Sequence, residues 1–377
     1  NMIRLAWRQL QLEPLRTLLT AIAVGSVITV ILILKGFEQG QYYQLERIVL
    51  NRGTSLIAAQ AGVANFIAVR SSIPQLARGE VESVEGVVNA HPITAIPAIY
   101  EVDNRRTPIY VLVYDTRGGP TSITDGENIK DSNDIVIDRS LAKKYNIRLG
   151  DKFVISDFDF KVSGFTRETA LLMPFAFISY DGMIDLYLES EIAPDLSTFP
   201  LLSYMLIELD PTAERDKVAR EIEALVPSVD VFTSEELATR DVNLGRAFFG
   251  PIMGLLVTVA YIIGLLVVAL IMNADVRSRM RSFAVLKAIG FPFSRLSAAI
   301  IIQAFLLLLI AVPVAVLMAQ GLVLFINSAA PLYLVRIFEP LVFIQTIVAS
   351  VVFAILGALI PLNLIRRSDP TIAFEGL

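Results

Sequence analysis

Residues 247–272 read AFFGPIMGLLVTVAYIIGLLVVALIM, with Arg246 immediately before them and no further charge until Asp275. A helix of roughly 18–20 apolar residues crosses about 30 Å of hydrocarbon, so this run is long enough to span a membrane. Outward from it, the same pattern recurs three times. Leu18 to Leu34 lies between Arg16 and Lys35, Leu296 to Ile326 follows Arg295, and Leu341 to Ile365 lies between Glu339 and Arg366. The chain therefore reads as an integral membrane protein with four transmembrane α-helices, at 15–36, 247–273, 296–326 and 341–365. Pro313 predicts a kink in the third and Pro361 a bend in the fourth.

The first two spans are separated by residues 37–246, which carry most of the charge. At 377 residues, 54% hydrophobic and 18% charged, the chain is too apolar to be soluble throughout and too charged to be all membrane. Lys and Arg in the short flanks set the orientation. Arg4, Arg8 and Arg16 precede span one, Arg277, Arg279, Arg281, Lys287 and Arg295 lie between spans two and three, and Arg366 and Arg367 follow span four. An even number of spans puts all three groups on one side, which is then cytoplasmic, with both termini. Residues 37–246 become a large extracytoplasmic α+β domain, 327–340 a short outer loop and 366–377 a cytoplasmic tail. Long domains translocate largely regardless of charge, so the net charge of −5 does not oppose this.

Residues 1–14 place Ile3, Ala6, Trp7 and Leu10 on one helical face and Arg4 and Arg8 on the other. That is an amphipathic interfacial helix on the membrane lipids, with Trp7, Arg4 and Arg8 as its anchor and Pro14 turning the chain into the bilayer. Within the inserted domain, Gln41 to Ile48 continues span one as a helix. Ser234, with Glu235 and Glu236, caps another that runs into span two. Together these form a stalk. Between them, strands are predicted at 108–114, 133–138, 203–209 and 229–232, a short helix at 141–145, and a hairpin of 153–155 with 160–162 around Asp157-Phe158-Asp159. A helix opened by Pro211 and Thr212, with Val218, Ile222 and Leu225 on one face, completes a β-α-β unit.

Chemistry is sparse. The chain has no cysteine, so no thiolate nucleophile, and its one histidine, His91, leaves little room for a His-based triad or a multi-histidine metal site. No Gly-Lys dipeptide occurs, so there is no P-loop, and Gly118-Gly119-Pro120 reads as a turn. Asp131 with Asp134 and Asp157 with Asp159 read as turn formers. No ionisable residue sits midway along a span, which argues against a coupled-ion path. The chain is thus expected to be non-catalytic, with no bound cofactor or metal and no nucleic-acid partner. Gly250 and Gly254 form a small-xxx-small pair, a possible dimer face in span two.

The loop 274–295 is the segment richest in implication. Phe283, Val285, Leu286 and Ile289 place an apolar surface on a basic helix between two spans, and Gly290 with Pro292 stops it. Phe283 through Gly290 resembles the coupling helix of the MacB/FtsX/LolC-type permease subunits of ABC transporters. Arg366-Arg367-Ser368-Asp369-Pro370 resembles their tail, and Leu5-Ala6-Trp7 with Leu15-Arg16-Thr17-Leu18-Leu19-Thr20 their opening. Ile135 through Ala142, Leu149 through Lys152 and Phe160 through Phe165 are similar to their periplasmic core. The family usually has Glu where Ser282-Phe283 stands, a departure closest to the DevC and haem-exporter branch.

The resemblance implies a type VII (MacB-like) permease of the bacterial cytoplasmic (inner) membrane. Two copies would work with two copies of a separate ABC ATPase, which binds the ATP and Mg, and with a periplasmic adaptor protein as a further candidate partner. Met280, Arg281, Phe283, Ala284, Leu286, Lys287, Ile289 and Gly290 would form the ATPase-coupling helix. Export of an amphiphile, peptide, drug or haem-like substrate by mechanotransmission is the leading expectation. An FtsX-like transducer regulating a cell-wall hydrolase and LolC/E-like lipoprotein extraction are the alternatives.

Overall fold

The computed structural model describes residues 14–193, 202–278 and 280–367; for Arg281, Phe283, Lys287, Ala288 and residues 360–367 it describes the backbone alone. The interfacial helix expected at residues 1–14, with Trp7, Arg4 and Arg8, falls almost wholly outside the described residues, as does the tail beyond residue 367. The chain divides into a membrane unit, residues 1–40, 249–329 and 335–377, and an inserted unit, residues 41–248 and 330–334.

Among the described residues, four helices are long and apolar enough to cross a membrane. They are α1 (Pro14–Leu50), α6 (Ser234–Ser278), α8 (Phe293–Ala329) and α9 (Pro340–Arg367). α8 runs on through Pro313, and α6 likewise through Pro251, as continuous helices. Pro340 opens α9, the position where a missing N–H costs no helical bond. In the membrane unit the core is drawn from all four, with Ala21, Ile28, Ile31, Val268, Ile300, Ala311, Ala315 and Ala358 fully or almost fully enclosed. Small residues let the backbones approach. A Cβ on Gly264 would stand 2.8 Å from Val27 and 3.0 Å from Phe353, and one on Gly357 2.9 Å from Val268. Thr29 Oγ1 donates to Ala315 O at 3.1 Å, a bond between spans that also satisfies the hydroxyl.

The inserted unit is one mixed sheet. Its elements are β1 (Leu56–Gln60), α2 (Ala77–Glu82), β2 (Val87–Val102), β3 (Arg105–Tyr114), β4 (Ile123–Gly126), β5 (Asp134–Asp138), α3 (Arg139–Tyr145), β6 (Lys152–Ile155), β7 (Phe158–Thr166), β8 (Thr169–Ala170), β9 (Met173–Ser179), α4 (Tyr180–Glu189), β10 (Tyr204–Leu209), α5 (Arg215–Leu225) and β11 (Val229–Thr233). The strand order is β11-β1-β10-β2-β3-β9-β5-β7-β4, with β6 on β7 and β8 on β9. β10 and β11 each run antiparallel to β1 between them, so the β-α-β unit is a split one.

Both faces of the sheet are covered. Ile109, Val111, Ile135, Ile137, Ala176 and Ile178 pack with Leu141 of α3 and Met183 of α4. Leu56, Ala58, Met205 and Ile207 pack with Val81 of α2 and Ile222 of α5. The alternate residues Ile57, Leu112, Val136, Phe175, Phe177 and Leu206 join Leu45, Ile48 and Val49 of α1 and Leu237 and Ala238 of α6. Successive strand residues point to opposite faces, so apolar cover on both sides makes β1, β5, β9 and β10 near-continuously buried runs, whereas β6 and β7 alternate buried and exposed residues.

Details depart from the sequence reading for local reasons. The turn of the 153–162 hairpin is Ser156-Asp157, with Ser156 at φ +58° and Ile155 paired to Phe158, so Phe158 and Asp159 belong to the strand. Thr233, not Ser234, caps α6: its Oγ1 accepts from Glu236 N at 3.0 Å, while Ser234 Oγ donates to Thr54 O. Leu225 shares the face of Val218 and Ile222 but is half exposed, because it is the last residue of α5.

Candidate functional site

α6 ends at Ser278 and a nine-residue helix, α7 (Met280–Ala288), follows. Ile289 N bonds to Val285 O at 3.0 Å and Phe291 N to Leu286 O at 3.0 Å, with Gly290 at φ +91° between them. The long bond closing over a left-handed glycine is a Schellman stop, as Gly290 and Pro292 foretold. Leu296 N and Arg295 N both bond to Pro292 O as α8 begins.

The helix has two sides. Ala284 is fully buried, and Met280 and Leu286 pack against the membrane-unit core. Ser282, Val285 (42% exposed) and Ile289 (71% exposed) occur at i, i+3 and i+7 and lie outward, followed by half-exposed Phe291 and Phe293. Within the surface expected from the sequence, Leu286 and Ala284 are thus the inward face, and Val285 takes the place beside Ile289. The side chains of Arg281, Phe283 and Lys287 lie outside the described residues.

Just before α7, Asp275 gathers three helices. Arg16 Nη2 lies 3.3 Å from its Oδ1 and donates to Ser278 Oγ at 2.8 Å, and Gln303 Nε2 donates to Asp275 Oδ2 at 2.6 Å. Gln303 is itself buried. Asp275 sits at the end of the apolar run, where a charge is tolerable when paired. A cavity of about 20 Å³ lies among Arg16, Thr17, Thr20, Asp275 and Gln303, far below the several hundred Å³ of a small-molecule site. This end of the unit is a joint between helices and not a binding pocket.

Gly254 of the proposed dimer face has nothing within 4 Å of an added Cβ, so its small size serves no packing among the described residues. Gly250 is half-buried at the start of the same apolar run.

In the inserted unit the residues weighed for catalysis are occupied structurally. Asp134 Oδ2 accepts from Lys130 N and Asp131 N, and Asp157 from Glu191 N and Ser190 Oγ. Asp159 pairs with Lys152. His91 is buried on β2 between Thr116 Oγ1 at 3.2 Å and Glu208 Oε2 at 2.8 Å, and its hydrogen bond holds the Glu208 carboxyl below its ordinary range. Among the described residues no cluster of three or more His, Asp or Glu is placed to hold a metal ion.

What sequence reasoning missed is charge at the domain ends of α1 and α6. Arg52 and Glu168 form a fully enclosed ion pair. Asp241, buried on α6, accepts from Phe66 N at 2.9 Å, and Tyr204 Oη donates to Phe66 O at 2.8 Å. The partners stand more than a hundred residues apart, so no local spacing marks them.

Residues 15–225 match the family described as MacB-like periplasmic core domain, and residues 254–370 the family described as FtsX-like permease C-terminal. An uncharacterized ABC transporter permease of Mycobacterium tuberculosis is 22% identical, with 100% of each chain covered. A second from that organism is 21% identical, again over 100% of both chains. Two solved structures also match. The extracellular domain of the noncanonic ABC-type transporter YknZ from Gram-positive bacteria is 12% identical, with a TM-score of 0.35, covering 48% of this chain and 100% of that one. The periplasmic region of MacB from Actinobacillus actinomycetemcomitans is 11% identical, with a TM-score of 0.36, covering 52% of this chain and 97% of that one.

Proposed function

The chain belongs to the ABC transporter permease family that joins a MacB-like periplasmic core domain to an FtsX-like permease C-terminal region, and we propose that it is the non-catalytic, force-transmitting subunit of an exporter. Two copies would assemble with two copies of a separate ATPase, which binds ATP and Mg. α7 faces the cytoplasm in this reading, as the Lys and Arg flanking the spans require, and both termini lie on that side.

The observation that carries the reading is the two-sidedness of α7. Val285 and Ile289 offer an apolar contact outward, while Ala284 and Leu286 are set into the membrane unit. A partner pressing on the outer face moves the packed helix bodily, because close-packed interfaces shift as units and do not deform continuously. The stroke then passes along α1 and α6, each continuous from the apolar stretch into the inserted domain. That domain handles an amphiphilic substrate outside the membrane, with no polar channel required.

Val285→Asp with Ile289→Asp tests this directly, since both side chains are exposed and their loss leaves packing intact. The pair should abolish permease-stimulated ATP hydrolysis by the partner ATPase while membrane insertion stays normal. Stimulation equal to the parent's would refute the proposal. Leu286→Asp is a poorer probe, because it places a charge in the helix packing.

A further inference from the structure

α1 carries the first span and ends at Leu50, and two residues later the chain presents Arg52 to the interior of the inserted domain. The backbone there closes with Asn51 N on Arg47 O and Arg52 N on Val49 O, and Gly53 at φ +70° turns it away. The guanidinium is spread over several partners. Nε donates to Ile48 O at 2.9 Å, capping the end of its own helix. Nη1 donates to Gly118 O and, at 3.1 Å, to Gly119 O, in the connection between β3 and β4. Nη2 pairs with Glu168 Oε2 in the connection between β7 and β8, and the group lies 5.3 Å above the Phe177 ring of β9.

Glu168 is equally committed. Its Oε1 accepts from Thr121 N at 2.9 Å and Thr121 Oγ1 at 2.8 Å. The two glycines make room: a Cβ on Gly118 would stand 2.4 Å from Ile93 Cδ1, and one on Gly119 2.5 Å from the Tyr114 ring. The chain thus brings two connections, from the strands covered by α3 and α4, onto one cation at the tip of α1.

Stability alone is a weak explanation. A buried ion pair is often no better than apolar side chains of like volume, and Leu45, Ile48 and Val49 already seat the helix on the sheet. What the guanidinium fork adds is direction, since its donors fix both distance and angle. We infer that Arg52 and Glu168 are positioning residues, forming the joint through which α1 turns the part of the inserted domain built on β3, β5, β7 and β9. The inference rests on the force-transmitting role proposed above, but the joint itself is measurable without the ATPase.

The chain has no cysteine, so spin labels can be placed at will. Glu46 of α1 and Lys143 of α3 are both exposed. Glu46→Cys with Lys143→Cys, labelled in the full chain and read by pulsed electron resonance, should give one narrow distance distribution. Arg52→Met with Glu168→Gln removes both charges together, so neither is left buried and unpaired, and Gln retains an acceptor for Thr121. This double variant should keep the fold by circular dichroism yet broaden the distribution. Assembled with the ATPase, it should lose stimulated ATP hydrolysis by roughly an order of magnitude. Val285→Asp/Ile289→Asp should lose stimulation with the distribution still narrow. A narrow distribution in Arg52→Met/Glu168→Gln overturns the inference, as does a broadened one with stimulation unchanged. Full stimulation in Val285→Asp/Ile289→Asp overturns the proposed function instead, and the label distances still decide the joint.

Discussion

Asp138 ends β5 and caps α3, its carboxylate accepting from Ser140 N at 2.8 Å. Burial raises its pKa from 3.8 to about 7, against hydrogen bonds from Ser140 and the Glu168 backbone that favour the charged form. The fold therefore prefers the protonated acid. Its contribution is complete below the unfolded value near 3.8 and is lost as pH rises through about 7. Asp138→Asn should flatten that dependence, keeping the cap while removing the buried charge. Calorimetry of the full chain should then show the variant gaining on the parent between pH 5 and 8, by as much as a few kcal/mol. An unchanged difference across that range would refute the assignment. Gly264 is decided by space alone: Gly264→Leu must displace Val27 and Phe353, and overpacking of this kind costs about 1–3 kcal/mol. A thermal midpoint equal to the parent's would show that the span has room to yield.

Among the elements, the joint at Asp275 deserves a prediction separate from that for α7. Arg16, Asp275 and Gln303 come from α1, α6 and α8, and Gln303 is buried against a carboxylate. Gln303→Leu leaves Asp275 short of a partner and should cost about 1–3 kcal/mol. A double-mutant cycle with Asp275→Asn should give a coupling of about 0.5–3 kcal/mol, and additive effects would refute contact between them. The same elements show what was legible in advance. The four spans and the end of α7 follow from charge-free runs and from Gly290 with Pro292, and the helix running on from span one follows from the stretch Gln41 to Ile48. Strand β2 was hidden because Pro92 and Pro97 interrupt it, although Pro97 still stands opposite Tyr110 in the ladder with β3. Strand β9 was hidden because burial on both faces erases alternation in MPFAFIS. Arg52 with Glu168 could not be read at all, since only the sheet order brings β3–β4 and β7–β8 to the tip of α1.

For the whole molecule, the open question of assembly turns on which apolar faces the single chain leaves uncovered. α6 exposes Ile252, Leu255, Val259, Ile262 and Leu266 along its apolar half, and lipid alone is sufficient to cover them. Gly254 distinguishes the alternatives. A glycine in a span interior lowers helix propensity and, here, admits no neighbour among the described residues. Gly264 and Gly357, by contrast, are filled from within. The proposal of a second copy therefore predicts that Gly254 is filled from outside. Gly254→Cys, in a chain otherwise free of cysteine, should form a disulfide-linked dimer on mild oxidation in membranes, whereas Leu309→Cys, on an exposed face of α8, should remain monomeric. Gly254→Leu should weaken the dimer in detergent without lowering the thermal stability of the monomer. If Gly254→Cys stays monomeric and Leu309→Cys cross-links, the copies meet through α8, and the apolar face of α6 around Gly254 is covered by lipid.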